Sequence, residues 1–348
     1  MNHAESRTRS ERVRAPVFIV GAPRSGTTLL RVVLNRHSQL AMCSETAYLS
    51  RVYARRHAFG DPGNLQNRKR IVDAYLAVQP LRGLGTDVDI LRQRLLSEGV
   101  SWRSLFASLL QVYADSQGKP YTGEKTPGHA LYVETLCEWF PDCSIVHLVR
   151  DPRDEVHSLI RMPWASRSVL MGANTWRSFN TAVCAVSARP NYLRVKYEDL
   201  VTRSEEQLQR LCNHIGLEYE ESMLQPDSAE LDDPRQDPRA YQSITPARLP
   251  VWRAELKPWQ VEAIETTVGP RMEEFGYERQ RETAPASMAR ATLEALVEMT
   301  FQKFLRLPSL FCSFLQPTNL SAHEKWVARA SAMYGRLRLR LPASHRRP

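Results

Sequence analysis

Val17-Phe18-Ile19-Val20-Gly21-Ala22-Pro23-Arg24-Ser25-Gly26-Thr27-Thr28-Leu29-Leu30-Arg31-Val32-Val33-Leu34 passes from an apolar run through a glycine-bounded turn into a helical pattern. Strand, loop and helix in that order are the context a phosphate loop needs. Gly21 and Gly26 keep the glycine spacing of G-x-x-x-x-G-K-[ST], but the lysine position holds Thr27. In such a loop, backbone N–H groups and a helix N-terminus surround an anion. The chain is therefore expected to bind phosphate without the lysine of nucleoside triphosphatases. Arg24 supplies a guanidinium suited to a bidentate pair with phosphate, and Ser25, Thr27 and Thr28 add hydroxyl donors. The expected ligand is a nucleotide whose chemistry needs no magnesium.

Further apolar runs at Tyr121 to Gly123, Ile145 to Val149 and Tyr192 to Val195 alternate with helical patterns. Alternation of this kind predicts an α/β fold with a central, mostly parallel sheet between helical layers. Residues 48 to 115 read as a helical insertion, with a turn at Asp61-Pro62-Gly63, of the kind that shapes an acceptor pocket or a surface subdomain. Ser204-Glu205-Glu206-Gln207 reads as a capping box opening a helix that Gly216 closes. The expected organisation is a disordered segment at 1–14, a catalytic domain at 15–280 and a helical, basic extension at 281–348.

That extension places Leu293, Leu296, Val297, Phe301, Phe304 and Leu305 on one helix face, and Pro308 and Pro317 break the helical pattern after it. In residues 318–348, Lys325, Arg329, Arg336, Arg338, Arg340, Arg346 and Arg347 stand against the single acid Glu324. The whole chain carries +9, so the rest is close to neutral and its basicity does not argue for nucleic acid. A helix docked on the core, a homodimer arm, and a basic surface for anionic lipid or an acidic carrier are the open readings of this region. The six cysteines form no C-x-x-C pair, the start has no apolar signal region, and no long uncharged apolar stretch occurs later. A cytoplasmic protein with reduced thiols is expected, and the histidines show no metal-ligand spacing with the cysteines.

A second strand-to-helix segment, Val146-His147-Leu148-Val149-Arg150-Asp151-Pro152-Arg153-Asp154-Glu155-Val156-His157-Ser158, puts Arg150 at a strand's carboxyl end, where open α/β sheets collect ligands. Together with the glycine loop it resembles the sulfotransferases, which move a sulfonate from 3′-phosphoadenosine 5′-phosphosulfate (PAPS) to an acceptor. The resemblance covers roughly residues 15 to 280 and implies a P-loop-like fold. It also implies that the loop holds the 5′-phosphosulfate while Arg150 and Ser158 hold the 3′-phosphate. Tyr197-Glu198-Asp199-Leu200 is similar to a later family segment; Tyr197 is expected at the nucleotide, Glu198 and Asp199 as braces or caps. Ser243 to Pro246 resembles a further family loop.

The chain resembles the tyrosylprotein sulfotransferases in both nucleotide segments. That similarity implies Glu45, in Ser44-Glu45-Thr46, as general base, and Lys125, in Gly123-Glu124-Lys125-Thr126-Pro127, as the cation for the transferred sulfonate, with Arg24 assisting. His129 is the second candidate base, and His37 reads as a cap on the loop helix. Ala47 stands where that subfamily has a basic residue and Arg51 matches a second one, so the acceptor stays open among small-molecule, lipid, carbohydrate and peptide tyrosine hydroxyls. A kinase-like phosphotransferase using a nucleoside triphosphate is the alternative; it would need magnesium and a loop lysine.

Overall fold

A computed structural model of the protein describes residues 15–78, 87–162, 164–225, 244–246, 249–280 and 285–313, with side chains described as far as residue 300. The N-terminal segment 1–14, Ser243 and the basic stretch beyond 313 lie outside the described residues, as do the side chains of Phe301, Phe304 and Leu305.

The quoted stretch forms strand β1 (Val17–Val20) and helix α1 (Thr27–Asn35). All four strand residues are buried, as expected of a central parallel strand covered on both faces. Next comes β2 (Leu40–Cys43), a strand not expected from the sequence. Leu, Ala, Met and Cys lack the β-branched and aromatic signature, so pairing with a neighbour rather than local preference makes this strand. Helices α2 (Tyr48–Arg51), α3 (Leu65–Val78), α4 (Val88–Glu98) and α5 (Trp102–Ser116) fill the insertion before β3 (Tyr121–Lys125). After β3 come β4 (Ser144–Val149), α6 (Pro152–Leu159), α7 (Val169–Cys184), β5 (Tyr192–Lys196), α8 (Ser204–Ile215), α9 (Pro258–Val268) and α10 (Pro285–Ser313).

The five strands lie in the order β2-β3-β1-β4-β5 and every pairing is parallel. Pleat alternation splits β1 between two cores. Phe18 and Val20 face the insertion side with Phe106 and Phe140, whereas Val17 and Ile19 face Leu30, Val33 and Leu34 of α1. The insertion is thus an integral layer of the fold. Because β1 is flanked by β3 on one side and β4 on the other, the sheet switches direction at β1, and its carboxyl end opens the crevice where such sheets bind ligands.

Three local expectations need correction. Ser204 is the first helical residue of α8 and makes no capping hydrogen bond; the preceding Arg203 instead pairs with Asp199 and Glu206. His37 does not cap α1, because its Nε2 meets the Glu218 carbonyl at 2.8 Å. Helix α10 continues through Pro308 to Ser313 and docks on α7 and α9, but with the face opposite the one anticipated. Ala291 and Ala295 are buried, while Leu293, Leu296, Val297 and Met299 are exposed.

Candidate active site

The glycine loop depends on one residue without a side chain. Gly26 has φ +99°, and a Cβ there would stand 2.4 Å from the Tyr197 ring, so both backbone sign and space exclude other residues. Arg24 holds a left-handed φ of 75°, a strain typical of functional turns. Its guanidinium Nε donates to Ser158 Oγ at 3.1 Å, and its carbonyl accepts from Arg150 Nη1 at 3.3 Å. The Arg150 guanidinium lies 4.4 Å from the Tyr197 ring centroid. Its Nε is buried without a hydrogen-bond partner among the described residues.

Four predicted residues from three remote segments, Arg24, Arg150, Ser158 and Tyr197, thus meet around the N-terminus of α1. The first turn of that helix holds no acidic residue, which leaves its positive end available to an anion. Ser25 does not share this role. It is fully buried, and both its N–H and its hydroxyl donate to the Ala22 carbonyl, closing the loop.

On the other side of the loop, Lys125 ends β3 with no exposed surface. Its Nζ donates to Glu45 Oε1 at 2.5 Å and to Thr28 Oγ1 at 3.1 Å. Burial pushes the ammonium below its ordinary pKa, with Glu45 opposing. Glu45 is 38% exposed, so the pair joins a buried cation to a carboxylate open to an incoming molecule. His129 is placed differently. It is buried, its Nδ1 stands 3.0 Å from Glu124 Oε2, and its Nε2 accepts from the Leu49 N–H at 3.1 Å. Both ring nitrogens are engaged, which leaves none to receive a proton from an acceptor.

Glu198 braces the fold: its carboxylate accepts from the Asp151 N–H at 2.9 Å and from the Tyr277 hydroxyl at 2.8 Å. Two buried charged groups are not signalled by any motif. Glu155 sits in the first turn of α6 with neither oxygen hydrogen-bonded among the described residues, and burial pushes its carboxyl well above the usual range against nearby Arg150 and Arg24. Arg68 of α3 is 9% exposed, with Nε and Nη1 lacking partners among the described residues. It lies two turns before Tyr75 on the same helix face, and the Tyr75 hydroxyl donates to the Thr46 carbonyl at 3.3 Å. Among the described residues no group of His, Cys, Asp and Glu side chains is arranged for a metal ion.

Comparison with known proteins agrees with this architecture. The model of the Sulfotransferase family matches residues 16–221. Protein-tyrosine sulfotransferase 2 of Gallus gallus is 28% identical over 238 residues, which are 64% of this chain and 56% of that protein. The chain therefore spans about half the length of that relative. The sulfotransferase domain of the Synechococcus PCC 7002 olefin synthase aligns with a TM-score of 0.57 at 23% identity, covering 76% of this chain and 95% of that one. The sulfotransferase domain from the curacin biosynthetic pathway gives 0.54 at 20% identity, covering 76% and 99%. These two likenesses establish a common P-loop-like α/β fold. The matched range spans the glycine loop, the β3 end and the Arg150 segment, and the chain belongs to the sulfotransferase family.

Proposed function

We propose that the protein transfers the sulfonate group of PAPS to an acceptor hydroxyl, with Glu45 as general base. The carrying observation is the Lys125 ammonium held between Glu45 and Thr28, which joins a proton acceptor and a cation to the anion-binding loop. The acceptor O–H gives its proton to the Glu45 carboxylate as its oxygen bonds to sulfur. The bond from sulfur to the bridging oxygen breaks, and Lys125 and Arg24 meet the charge that develops on the leaving phosphate. The products are the sulfated acceptor and 3′-phosphoadenosine 5′-phosphate. Arg150 and Ser158 hold the 3′-phosphate, Tyr197 braces Arg150 from below, and Gly26, Thr27 and Thr28 present the helix N-terminus to the 5′-phosphosulfate.

Glu45 is preferred to His129 because it is exposed, whereas the histidine is buried with both nitrogens engaged. Thr27 at the loop lysine position weighs against the kinase-like alternative. A peptide tyrosine offers an acceptor hydroxyl, and the name of the chicken relative points to it.

Calorimetry tests the nucleotide assignment. The protein is expected to bind 3′-phosphoadenosine 5′-phosphate more tightly than adenosine 5′-phosphate by about 1.5–3 kcal/mol, the worth of a charge-assisted pair. Arg150→Ala should erase that preference. Equal affinities in the wild type, or tighter binding of ATP with magnesium, would overturn the reading.

A further inference from the structure

Successive side chains of a strand point to opposite faces, so Glu124 and Lys125 at the end of β3 diverge. Lys125 reaches Glu45, while Glu124 turns into the insertion layer and is 1% exposed. A buried carboxylate is costly unless its lone pairs are filled, and here they are filled from the segment carrying Glu45. Oε1 accepts from the Thr46 N–H at 3.1 Å and the Thr46 hydroxyl at 3.0 Å. The Thr126 hydroxyl also donates to it, and the same oxygen of Thr126 accepts from the Ala47 N–H at 3.1 Å. Oε2 receives His129 Nδ1 at 3.0 Å, and His129 Nε2 accepts from the Leu49 N–H at 3.1 Å. The Leu49 bond requires a lone pair on Nε2, so the ring proton sits on Nδ1 and points at Glu124.

Three successive anchors, at Thr46, Ala47 and Leu49, therefore converge on one carboxylate directly or through one side chain. They hold the turn in which Ala47 takes a left-handed φ of 50°, a conformation that an alanine adopts only when its surroundings impose it. Burial pushes the Glu124 carboxyl up, and His129 with the hydroxyl and N–H donors more than offsets this, so the group is held below its ordinary value.

We propose that Glu124, backed by His129, is the positioning residue of the reaction: it clamps the Thr46 to Leu49 turn so that Glu45 is presented beside Lys125. Glu124 touches no reactant and acts through Glu45, so the inference rests on the base assignment proposed above. It also gives His129 a role other than proton acceptor.

The test is a double-mutant cycle on the full chain, with labelled PAPS and an acidic tyrosine peptide as acceptor probe. The amount of folded enzyme is counted by titration with 3′-phosphoadenosine 5′-phosphate. Glu124→Gln keeps the size of the side chain, but its NH₂ must face either the His129 Nδ1–H or the three donors on Oε1. Per nucleotide-binding site, kcat is expected to fall about 10- to 10²-fold, the usual cost of a misplaced catalytic group, with the nucleotide Kd unchanged. Because the effect passes through Glu45, Glu45→Gln/Glu124→Gln should be no slower than Glu45→Gln alone, whereas losses that multiply would overturn the proposal.

A second readout does not depend on the acceptor. Hydrogen exchange at the Thr46, Ala47 and Leu49 amides should accelerate in Glu124→Gln while exchange in the Arg24 to Thr28 loop stays as in the wild type. Unchanged exchange at those three amides overturns the clamp whatever is sulfated. The two readings fail separately. Full activity in Glu45→Gln counts against the base assignment. A wild type inactive on the probe counts only against an acidic tyrosine acceptor and leaves the exchange readout to decide the clamp, and a slow Glu45→Gln with a fully active Glu124→Gln removes only the clamp.

Discussion

Gly26 is the residue at which the loop, the stacking ring and the guanidinium meet. An added methyl would collide with Tyr197 Cδ2 at 2.4 Å while the backbone stayed at φ +99°, so the ring must move, and Arg150 rests on that ring. Gly26→Ala is accordingly expected to lower stability by about 1–3 kcal/mol. It should also weaken 3′-phosphoadenosine 5′-phosphate binding more than a substitution elsewhere in α1. Urea melts and calorimetry on the same preparation check both effects; a variant that binds nucleotide normally would show that the ring is not needed where it stands. The spacing of the loop is enough to tell that a glycine belongs here. That its neighbour would be Tyr197 depends on the pairing of β4 with β5, which brings the chain after β5 beside the loop.

Among the elements, β4 and α6 carry opposing pH dependences. His147 on β4 is fully buried between the Tyr192 hydroxyl and Asn180 Oδ1, each at 2.8 Å, and burial lowers its pKa from 6.5 to about 4, against the Asn180 bond. Below pH 6.5 the unfolded chain takes a proton there that the folded chain refuses until about pH 4, so stability falls as the pH drops through this window. The loss approaches about 3 kcal/mol at its lower end, from 1.36 kcal/mol per pKa unit. Asp154 on α6 acts the other way. Burial raises its carboxyl from 3.8 to about 6, so its folded form holds a proton longer and its contribution improves as the pH falls through that range. The two effects partly cancel. His147→Gln should flatten the acid side of the stability profile between pH 6.5 and 4 while costing stability at pH 7. Asp154→Asn, which keeps an acceptor for the Trp252 N–H, should steepen it. Denaturant midpoints at half-unit pH steps check the pair, and parallel profiles for wild type and both variants would remove these groups as the cause.

At the scale of the molecule, α10 closes a further hydrophobic cluster that α7 and α9 form beside the two cores of the sheet. Ala291 is buried in it beside Trp176, Ile264 and Phe275, and Met288 packs at its margin. Ser287 donates to Glu262 at 2.5 Å, and the Arg290 guanidinium lies 4.5 Å from the Trp259 ring centroid. Small residues let the helix approach α7 and α9 closely, so it is held by its alanine face even though its leucine face is more apolar. Truncation after Gln280 is expected to cost on the order of 2–4 kcal/mol by uncovering that cluster. The measurement is the denaturant midpoint of the shortened chain; a midpoint equal to that of the full chain would show that docking adds nothing to stability.

Two strand-to-helix strings, Val17 to Leu34 and Val146 to Ser158, were enough to place the α/β class and the elements that carry the residues proposed to bind the nucleotide. In each, a buried strand, a turn of defined backbone and a helix start succeed one another within a few residues, and local chemistry decides them. Other features depend on which surface meets which. Leu40 to Cys43 is a strand because β3 lies beside it, not because its residues prefer one. The inward turn of Ser25 and the placement of Arg24 against Ser158 require the closed loop and the β1–β4 pairing. Thr46 stands 78 residues before Glu124, and only the parallel pairing of β2 with β3 joins it to Glu124 and the neighbouring His129 in one hydrogen-bonded unit. For α10, periodicity found an apolar stripe, but shape complementarity chose the alanine side. A local pattern records what a segment can bury, and tertiary structure decides what it buries against.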